Sequence, residues 1–131
     1  MRAIRHRDTK PELLVRKALH ARGFRYRLNV KTLPGTPDLV FPKYRSVIFV
    51  HGCFWHRHDC SFFKLPQTRT EFWSEKINGN VRRDRLAIAA LEDLGWRCLI
   101  VWECTLKKKN AAPAALIDGI SEWIFAEKNS L

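Results

Sequence analysis

The most informative part of the sequence is Val47-Ile48-Phe49-Val50-His51-Gly52-Cys53-Phe54-Trp55-His56-Arg57-His58-Asp59-Cys60. It begins as a short apolar run of β-branched and aromatic residues, which predicts a buried strand. From His51 onward the same stretch contains two Cys, three His and an adjacent Phe–Trp pair. A purely structural strand has no need of these residues, so we expect a strand that brings metal ligands and bases to one place.

The composition favours a folded domain that binds a polyanion. The chain has 131 residues, which predicts a single domain over residues 1–131, and its hydrophobic share of 46% is enough for a sizeable core. The formal net charge of +11 favours nucleic acid or an acidic membrane surface as the partner. No apolar run approaches the roughly 20 residues of a membrane span, and no signal peptide opens the chain. We therefore expect a cytoplasmic protein with no membrane-spanning segment.

The order of the predicted elements is typical of a small α/β domain. The first helix begins at a capping box, Thr9-Lys10-Pro11-Glu12, in which Glu lies three residues after Thr. The predicted elements are a basic arm (1–8), a helix (10–22) ending before Gly23, a strand (24–28), a hairpin of two strands (39–41 and 47–51), a helix (71–94) that Gly79 could kink or split, a strand (97–102) and a last helix capped by Asn110. This order predicts a mixed sheet with helices packed on it.

The spacing of Cys53, His58 and Cys60 favours a structural zinc site. A single loop can bring these three residues to one ion, and zinc prefers four S and N ligands in a tetrahedron. Cys104 is the best fourth candidate, because it follows a strand that could lie beside strand 47–51. Cys98 competes with it but lies inside an apolar strand, where Cys is usually a small core residue. The alternative is that all four Cys are ordinary buried thiols.

Asp38 is the candidate ligand for a catalytic metal. The predicted hairpin places it beside Val50 and His51, where a carboxylate and a backbone carbonyl could bind Mg²⁺. His51 and His56 are not needed for the zinc shell, and either could take a proton from an attacking water. Each His could instead be a hydrogen-bonded structural residue.

The other candidate residues also have structural explanations. The capping box accounts for Glu12, and Asp84 lies among Arg residues that could simply form surface ion pairs. Phe54, Trp55 and Trp73 could belong to the core. Beside a basic surface, however, such aromatic residues also suit insertion between base pairs, where contacts to the deformed duplex offset the cost of unstacking.

Taken together, these residues resemble the very short patch repair (Vsr) mismatch endonucleases. The resemblance covers most of the chain in the family's order. Its segments are Pro34-Gly35-Thr36-Pro37-Asp38, the opening stretch from Ile48 to Cys60, Thr68-Arg69-Thr70-Glu71-Phe72-Trp73, Asn80 with Arg83-Asp84, and Gly95-Trp96-Arg97 through Trp102-Glu103-Cys104.

The resemblance implies both a fold and a reaction. The fold would be restriction-endonuclease-like (related to the PD-(D/E)xK nucleases), with a mixed central sheet, flanking helices and a structural zinc site. The reaction would be a Mg²⁺-dependent nick in double-stranded DNA, 5′ to the T of a T:G mismatch left by deamination of 5-methylcytosine. One nick needs only one active site, so we expect a monomer that hands the DNA to later repair proteins.

The resemblance also implies roles for individual residues. Asp38 and the carbonyl of Val50 would bind Mg²⁺, and His56 would be the general base. His51, Glu12 and Asp84 would assist through water or hydrogen bonds.

The zinc ligands would be Cys53, His58, Cys60 and Cys104. The aromatic residues that enter the DNA beside the mismatch would be Phe54, Trp55 and Trp73. The region from Met1 to Ile4 would contact the DNA from the opposite groove.

Two alternatives to this function are a nuclease of the same fold with another target, such as a homing or restriction-associated enzyme, and a zinc-stabilised DNA-binding module without catalysis.

Overall fold

The fold is described from a computed structural model of the chain, which covers residues 10–52, 67–104 and 113–126. The elements in chain order are α1 (Lys10–Ala21), β1 (Arg27–Leu28), β2 (Leu39–Phe41), a 3₁₀ turn (Pro42–Tyr44), β3 (Ser46–His51), α2 (Thr70–Asp93), β4 (Arg97–Trp102) and α3 (Pro113–Ala126). The predicted basic arm and the cap at Asn110 lie outside the described residues. No helix in the described ranges is long and apolar enough to cross a membrane.

The sheet is mixed, as the sequence predicted. Its four strands lie in the order β1-β2-β3-β4. β2 and β3 form the expected antiparallel hairpin, with Leu39 opposite Ile48. β4 runs parallel to β3, with Val47 opposite Cys98. A parallel neighbour requires a crossover connection, and α2 lies within that connection.

Alternation along the strands divides the core into two layers. On one face, Ile48 of β3 packs in a cluster with residues of α1 and α3, including Leu19 and Ile120. On the other face, Val47 and Phe49 pack with Leu91 of α2. Successive residues of a strand point to opposite faces, so a fully apolar strand such as Val47-Ile48-Phe49 serves both layers.

The first predicted strand is shorter than expected. Only Arg27–Leu28 is a strand, because Phe24 belongs to the end of α1. The N–H of Phe24 donates to the carbonyl of Leu19 (3.1 Å), and the N–H of Gly23 donates to that of His20 (3.0 Å). These bonds form a Schellman motif in which Gly23 has φ +95°. The prediction that Gly23 ends the helix is confirmed.

The sequence left open a kink or a split at Gly79, and α2 does not split there. α2 is a single helix over Thr70–Asp93 and runs through Gly79 without interruption. An interior Gly costs about 1 kcal/mol relative to Ala, which the tertiary contacts of one 24-residue helix offset. Gly95 ends the helix, as predicted, in a second Schellman motif: the N–H of Trp96 donates to the carbonyl of Leu91 (3.0 Å).

Candidate active site

Asp38 lies directly before the first residue of β2, where its carboxylate bridges to β3. Its Oδ2 accepts a hydrogen bond of 2.7 Å from the N–H of Val50. Because β2 begins only at Leu39, the last residues of β3 have no backbone partner on β2. The Asp38 side chain takes that place and accepts the hydrogen bond from the Val50 N–H. The expected placement of Asp38 beside Val50 is confirmed. In an extended strand the N–H and C=O of one residue point to the same side, so the Val50 carbonyl faces the Asp38 edge of β3.

Glu12 approaches Asp38 from α1. Its side chain is buried, with 1% of the residue exposed, and it lies close enough to Asp38 to raise the pKa of that carboxyl group. Arg16, one turn later, donates to Glu12 Oε2 at 3.4 Å. The capping box gives Glu12 a role at the helix terminus, and its other predicted partner there, Thr9, lies outside the described residues. The structure adds a second role, as the neighbour of Asp38.

Burial sets the ionisation of Asp38. Removal from water raises the pKa of its carboxyl group from 3.8 to about 7, the Val50 N–H opposes this rise, and the charge of Glu12 reinforces it. Near neutral pH the group is therefore divided between its protonated and ionised forms. A bound cation would favour the ionised form and pull this balance toward the carboxylate.

His51 ends β3 at the same edge. It is 5% exposed, and its ring packs against Phe49 (5.6 Å between ring centroids) and edge-on against Trp102 (5.3 Å). Trp102 lies opposite His51 in the parallel register. The imidazole therefore packs between two aromatic rings at this edge of the sheet.

A cavity of about 460 Å³ joins these groups. Its floor is the end of β3, and its walls are the β1–β2 loop and α2. It is lined by Asn29, Lys31, Gly35, Thr36, Asp38, Phe49, Val50, His51, Arg83, Asp84 and Ala87. Four of the residues predicted for catalysis or magnesium binding therefore share one cavity: Asp38, Val50, His51 and Asp84. Glu12 reaches it through Asp38, and His56 lies outside the described residues.

The donor atoms at Asp38 suit a hard cation. A carboxylate, a neighbouring carboxylate and a strand carbonyl are the oxygen ligands that Mg²⁺ prefers, and water completes such a site. In the part of the chain that the structure describes, no three residues among His, Cys, Asp and Glu cluster closely enough to hold a metal ion. Among the described residues, the oxygen donors at this place are the carboxylates of Asp38 and Glu12 and the carbonyl of Val50.

Only one of the four predicted zinc ligands is described. Cys104 is half-buried and follows directly after β4, which is the neighbour of β3 as expected. Cys53, His58 and Cys60 lie outside the described residues. Cys98 packs against the cluster containing Val40 and Val47, and burial with the nearby charge of Glu92 raises its pKa to about 11. This packing fits the predicted role of Cys98 as a core residue.

The predicted DNA wedge is described only at the start of α2. Trp73 is half-buried there, and its neighbour Phe72 is 45% exposed. The two rings meet edge to face at 5.3 Å, and the guanidinium of Arg69 lies 4.5 Å from the centre of the Phe72 ring. Phe54, Trp55, Met1 and Ile4 lie outside the described ranges.

The sequence analysis assigned no role to the two cationic residues that line the cavity, Lys31 and Arg83. Arg83 is part of the Asn80, Arg83-Asp84 segment that resembles the Vsr family, but the spacing of residues does not show which way its side chain points. Lys31 lies in a turn whose closure over the cavity is a tertiary feature.

Comparison with known proteins identifies the family. A family model described as DNA mismatch endonuclease Vsr matches residues 1–62. The DNA mismatch endonuclease Vsr of Escherichia coli is 52% identical over 128 residues, which cover 97% of this chain and 82% of that protein. The chain belongs to the Vsr family of DNA mismatch endonucleases. It is therefore an endonuclease, and its Vsr relatives act on DNA.

Other relatives of this Vsr-family chain are named as nicking enzymes. Type II nicking enzyme V.XorIIP of Xanthomonas oryzae pv. oryzae is 50% identical over 116 residues, covering 88% of this chain and 85% of that protein. Type II nicking enzyme V.NaeI of Lentzea aerocolonigenes is 38% identical over 123 residues, covering 90% of this chain and 72% of that protein. The mixed α/β sheet described above is consistent with a nuclease fold.

Proposed function

We propose that the protein nicks one strand of duplex DNA 5′ to the T of a T:G mismatch, in a reaction that depends on Mg²⁺ and begins very short patch repair. The observation that carries the proposal is the Asp38 carboxyl group, which accepts a hydrogen bond from Val50, has Glu12 as a neighbour, and lines a cavity shared with His51 and Asp84. Family membership and the name of the Escherichia coli relative support the mismatch as the target.

The proposed division of labour follows from chemistry. Asp38 and the Val50 carbonyl would hold Mg²⁺, which when bound would stabilise negative charge on the reacting phosphate. His56 would take the proton of the attacking water, whose oxygen forms a new bond to phosphorus as the bond to the 3′ oxygen breaks. The products are a 3′ hydroxyl and a 5′ phosphate. His51, Glu12 and Asp84 would position these groups.

The remaining features belong to the same proposal. The fold would be restriction-endonuclease-like and form one domain over residues 1–131. Phe54, Trp55 and Trp73 would enter the DNA beside the mismatch, and Met1 and Ile4 would contact the other groove. The protein would act as a monomer on DNA in the bacterial cytoplasm and pass the nicked product to repair proteins.

A structural zinc ion would hold the loop that carries His56. Its ligands would be Cys53, His58, Cys60 and Cys104, and four protein ligands would leave no position for substrate. We expect one zinc per chain by elemental analysis, retained in Cys98→Ala and lost in Cys104→Ser together with thermal stability. A Cys104→Ser protein that keeps its zinc would remove Cys104 from the site.

A nicking assay tests the function. Labelled duplexes carrying T:G, T:A or C:G at one position are incubated with and without Mg²⁺, and the cut strand is resolved on a denaturing gel. We expect a nick only in the T:G duplex and only with Mg²⁺. Asp38→Ala should bind this duplex but leave it uncut, and full activity in that variant would exclude Asp38 from the metal site.

The same assay distinguishes the second candidate, a nicking enzyme of another target. The relatives named Type II nicking enzymes are the observation in its favour. Equal cutting of matched and mismatched DNA would reject the mismatch proposal and support this one. Membership of an endonuclease family argues against the third possibility, a DNA-binding module without catalysis.

A further inference from the structure

Two cationic side chains line the cavity from different elements. Lys31 belongs to the loop between β1 and β2, and Arg83 belongs to α2. Asp38 and Asp84 line the same cavity. Neither cation takes part in the proposed reaction, although both lie on the surface that the substrate must approach.

The position of Arg83 is built into the helix. Its Nη2 donates a hydrogen bond to Oδ1 of Asn80, one turn earlier. The guanidinium lies over Gly79, where an added Cβ would be 3.5 Å from Nη1 and 3.9 Å from Nη2. Both distances are ordinary van der Waals contacts, so the guanidinium packs on the surface of α2 beside Gly79.

The loop between β1 and β2, which carries Lys31, makes a close contact with α2. Gly35 approaches Ala87 so closely that an added Cβ would lie 2.7 Å from the Ala87 Cβ. At the base of the loop, the N–H of Asn29 donates to the carbonyl of Asp38 (3.1 Å). The loop is thus attached both to the helix that carries Arg83 and to the strand end that carries Asp38. The two cations therefore line one cavity from two elements that are in contact with each other.

We propose that Lys31 and Arg83 form a clamp that binds backbone phosphates of the strand being cut, next to the scissile phosphodiester. The proposal rests on the proposed function, since it assigns the substrate contacts of the same site. A phosphate approaching Asp38 and Asp84 meets two carboxylates, and the two cations offset that repulsion. The planar guanidinium suits phosphate oxygens, and the ammonium adds a point charge from the other wall.

The test measures DNA binding as a function of salt. Fluorescence anisotropy with matched and T:G duplexes in magnesium-free buffer gives the affinity of wild type, Lys31→Ala, Arg83→Ala and Arg83→Lys between 50 and 200 mM salt. Lys43→Ala is the matched control: it removes one exposed charge from the 3₁₀ turn before β3, at the opposite end of that strand from His51, about 17 Å away at the usual rise per residue.

Each lost phosphate contact should reduce the salt slope by about 0.9, so that the loss of affinity across this salt range shrinks about threefold. We expect this change in both alanine variants, equally on matched and mismatched DNA because phosphates carry no sequence information. Arg83→Lys should keep the wild-type slope, and so should Lys43→Ala. A neutral methylphosphonate beside the nick site should weaken wild type but not weaken Arg83→Ala further.

Unchanged slopes in Lys31→Ala and Arg83→Ala would overturn the clamp, and so would losses confined to the T:G duplex, which would indicate base reading. These outcomes are separable from failure of the proposed function. If wild type nicks T:G duplexes while the slopes do not change, only the clamp fails. If wild type does not nick them, the mismatch proposal fails whatever the slopes show.

Discussion

Replacing Asp38 by Asn should stabilise the folded protein at neutral pH while abolishing the nick. The carboxyl group is buried and has a pKa of about 7 in the folded protein, compared with 3.8 for the ordinary group. Ionising it inside the protein therefore costs free energy that ionising it in the unfolded chain does not. Asn has no charge to bury and can still accept the hydrogen bond from the Val50 N–H.

The sign and size follow from proton linkage. Below pH 3.8 both states hold the Asp38 proton, so the group has no effect on stability. Between pH 3.8 and about 7 the unfolded chain loses this proton first, so stability falls as pH rises, and above about 7 the loss is complete. At about 1.4 kcal/mol per pKa unit, a difference of about three units corresponds to about 4 kcal/mol.

Urea unfolding in magnesium-free buffer measures this contribution. The free energy of unfolding of Asp38→Asn should exceed that of wild type by up to about 4 kcal/mol at pH 8, and the gain should shrink toward pH 4. Asp93→Asn, at an exposed position at the end of α2, is the control and should change stability by less than about 1 kcal/mol. A gain in Asp38→Asn that is equal at pH 4 and pH 8 would refute the reasoning.

Three further substitutions test contacts that stabilise the fold. Gly35→Ala and Gly23→Ala both place a side chain at positive φ (+75° and +95°), which costs about 1–2 kcal/mol. Only in Gly35→Ala does the new Cβ also meet a neighbour, the Ala87 Cβ at 2.7 Å. This variant should therefore lose about 1–3 kcal/mol more unfolding free energy than Gly23→Ala, and it should nick more slowly. Equal melting temperatures for the two variants would contradict the close contact. Arg97→Met should lose about 2–4 kcal/mol of unfolding free energy, because the guanidinium of Arg97 donates to the carbonyls of Trp123 and Ile124, both at 2.9 Å. A loss below about 1 kcal/mol in that variant would show that these contacts at the end of α3 are not stabilising.

Local patterns in the sequence predicted most of the elements. The apolar runs 47–51 and 97–102 became β3 and β4, and Gly23 and Gly95 ended their helices in Schellman motifs. These features depend on a few neighbouring residues, so they can be read without the fold. The family resemblance extended the analysis to named site residues, and comparison with known proteins confirmed the family.

Local patterns failed where a residue's role depended on distant contacts. Gly79 could have kinked or split α2, but the helix continues through it from Thr70 to Asp93. Phe24 was assigned to a strand, but its side chain packs into the core and its N–H completes the end of α1. At Phe24, core packing and the bond at the helix end outweighed a strand preference of at most about 1 kcal/mol.

The stretch 47–60 shows which features are local and which are tertiary. From the sequence alone one can predict a buried strand followed by several His and Cys residues, because apolar runs and ligand spacing are local properties. Only the tertiary structure decided that the end of this strand meets Asp38, Glu12 and the wall of α2, and that burial raises the Asp38 pKa. Desolvation depends on every group packed around a carboxylate, and those groups come from elements far apart in the chain.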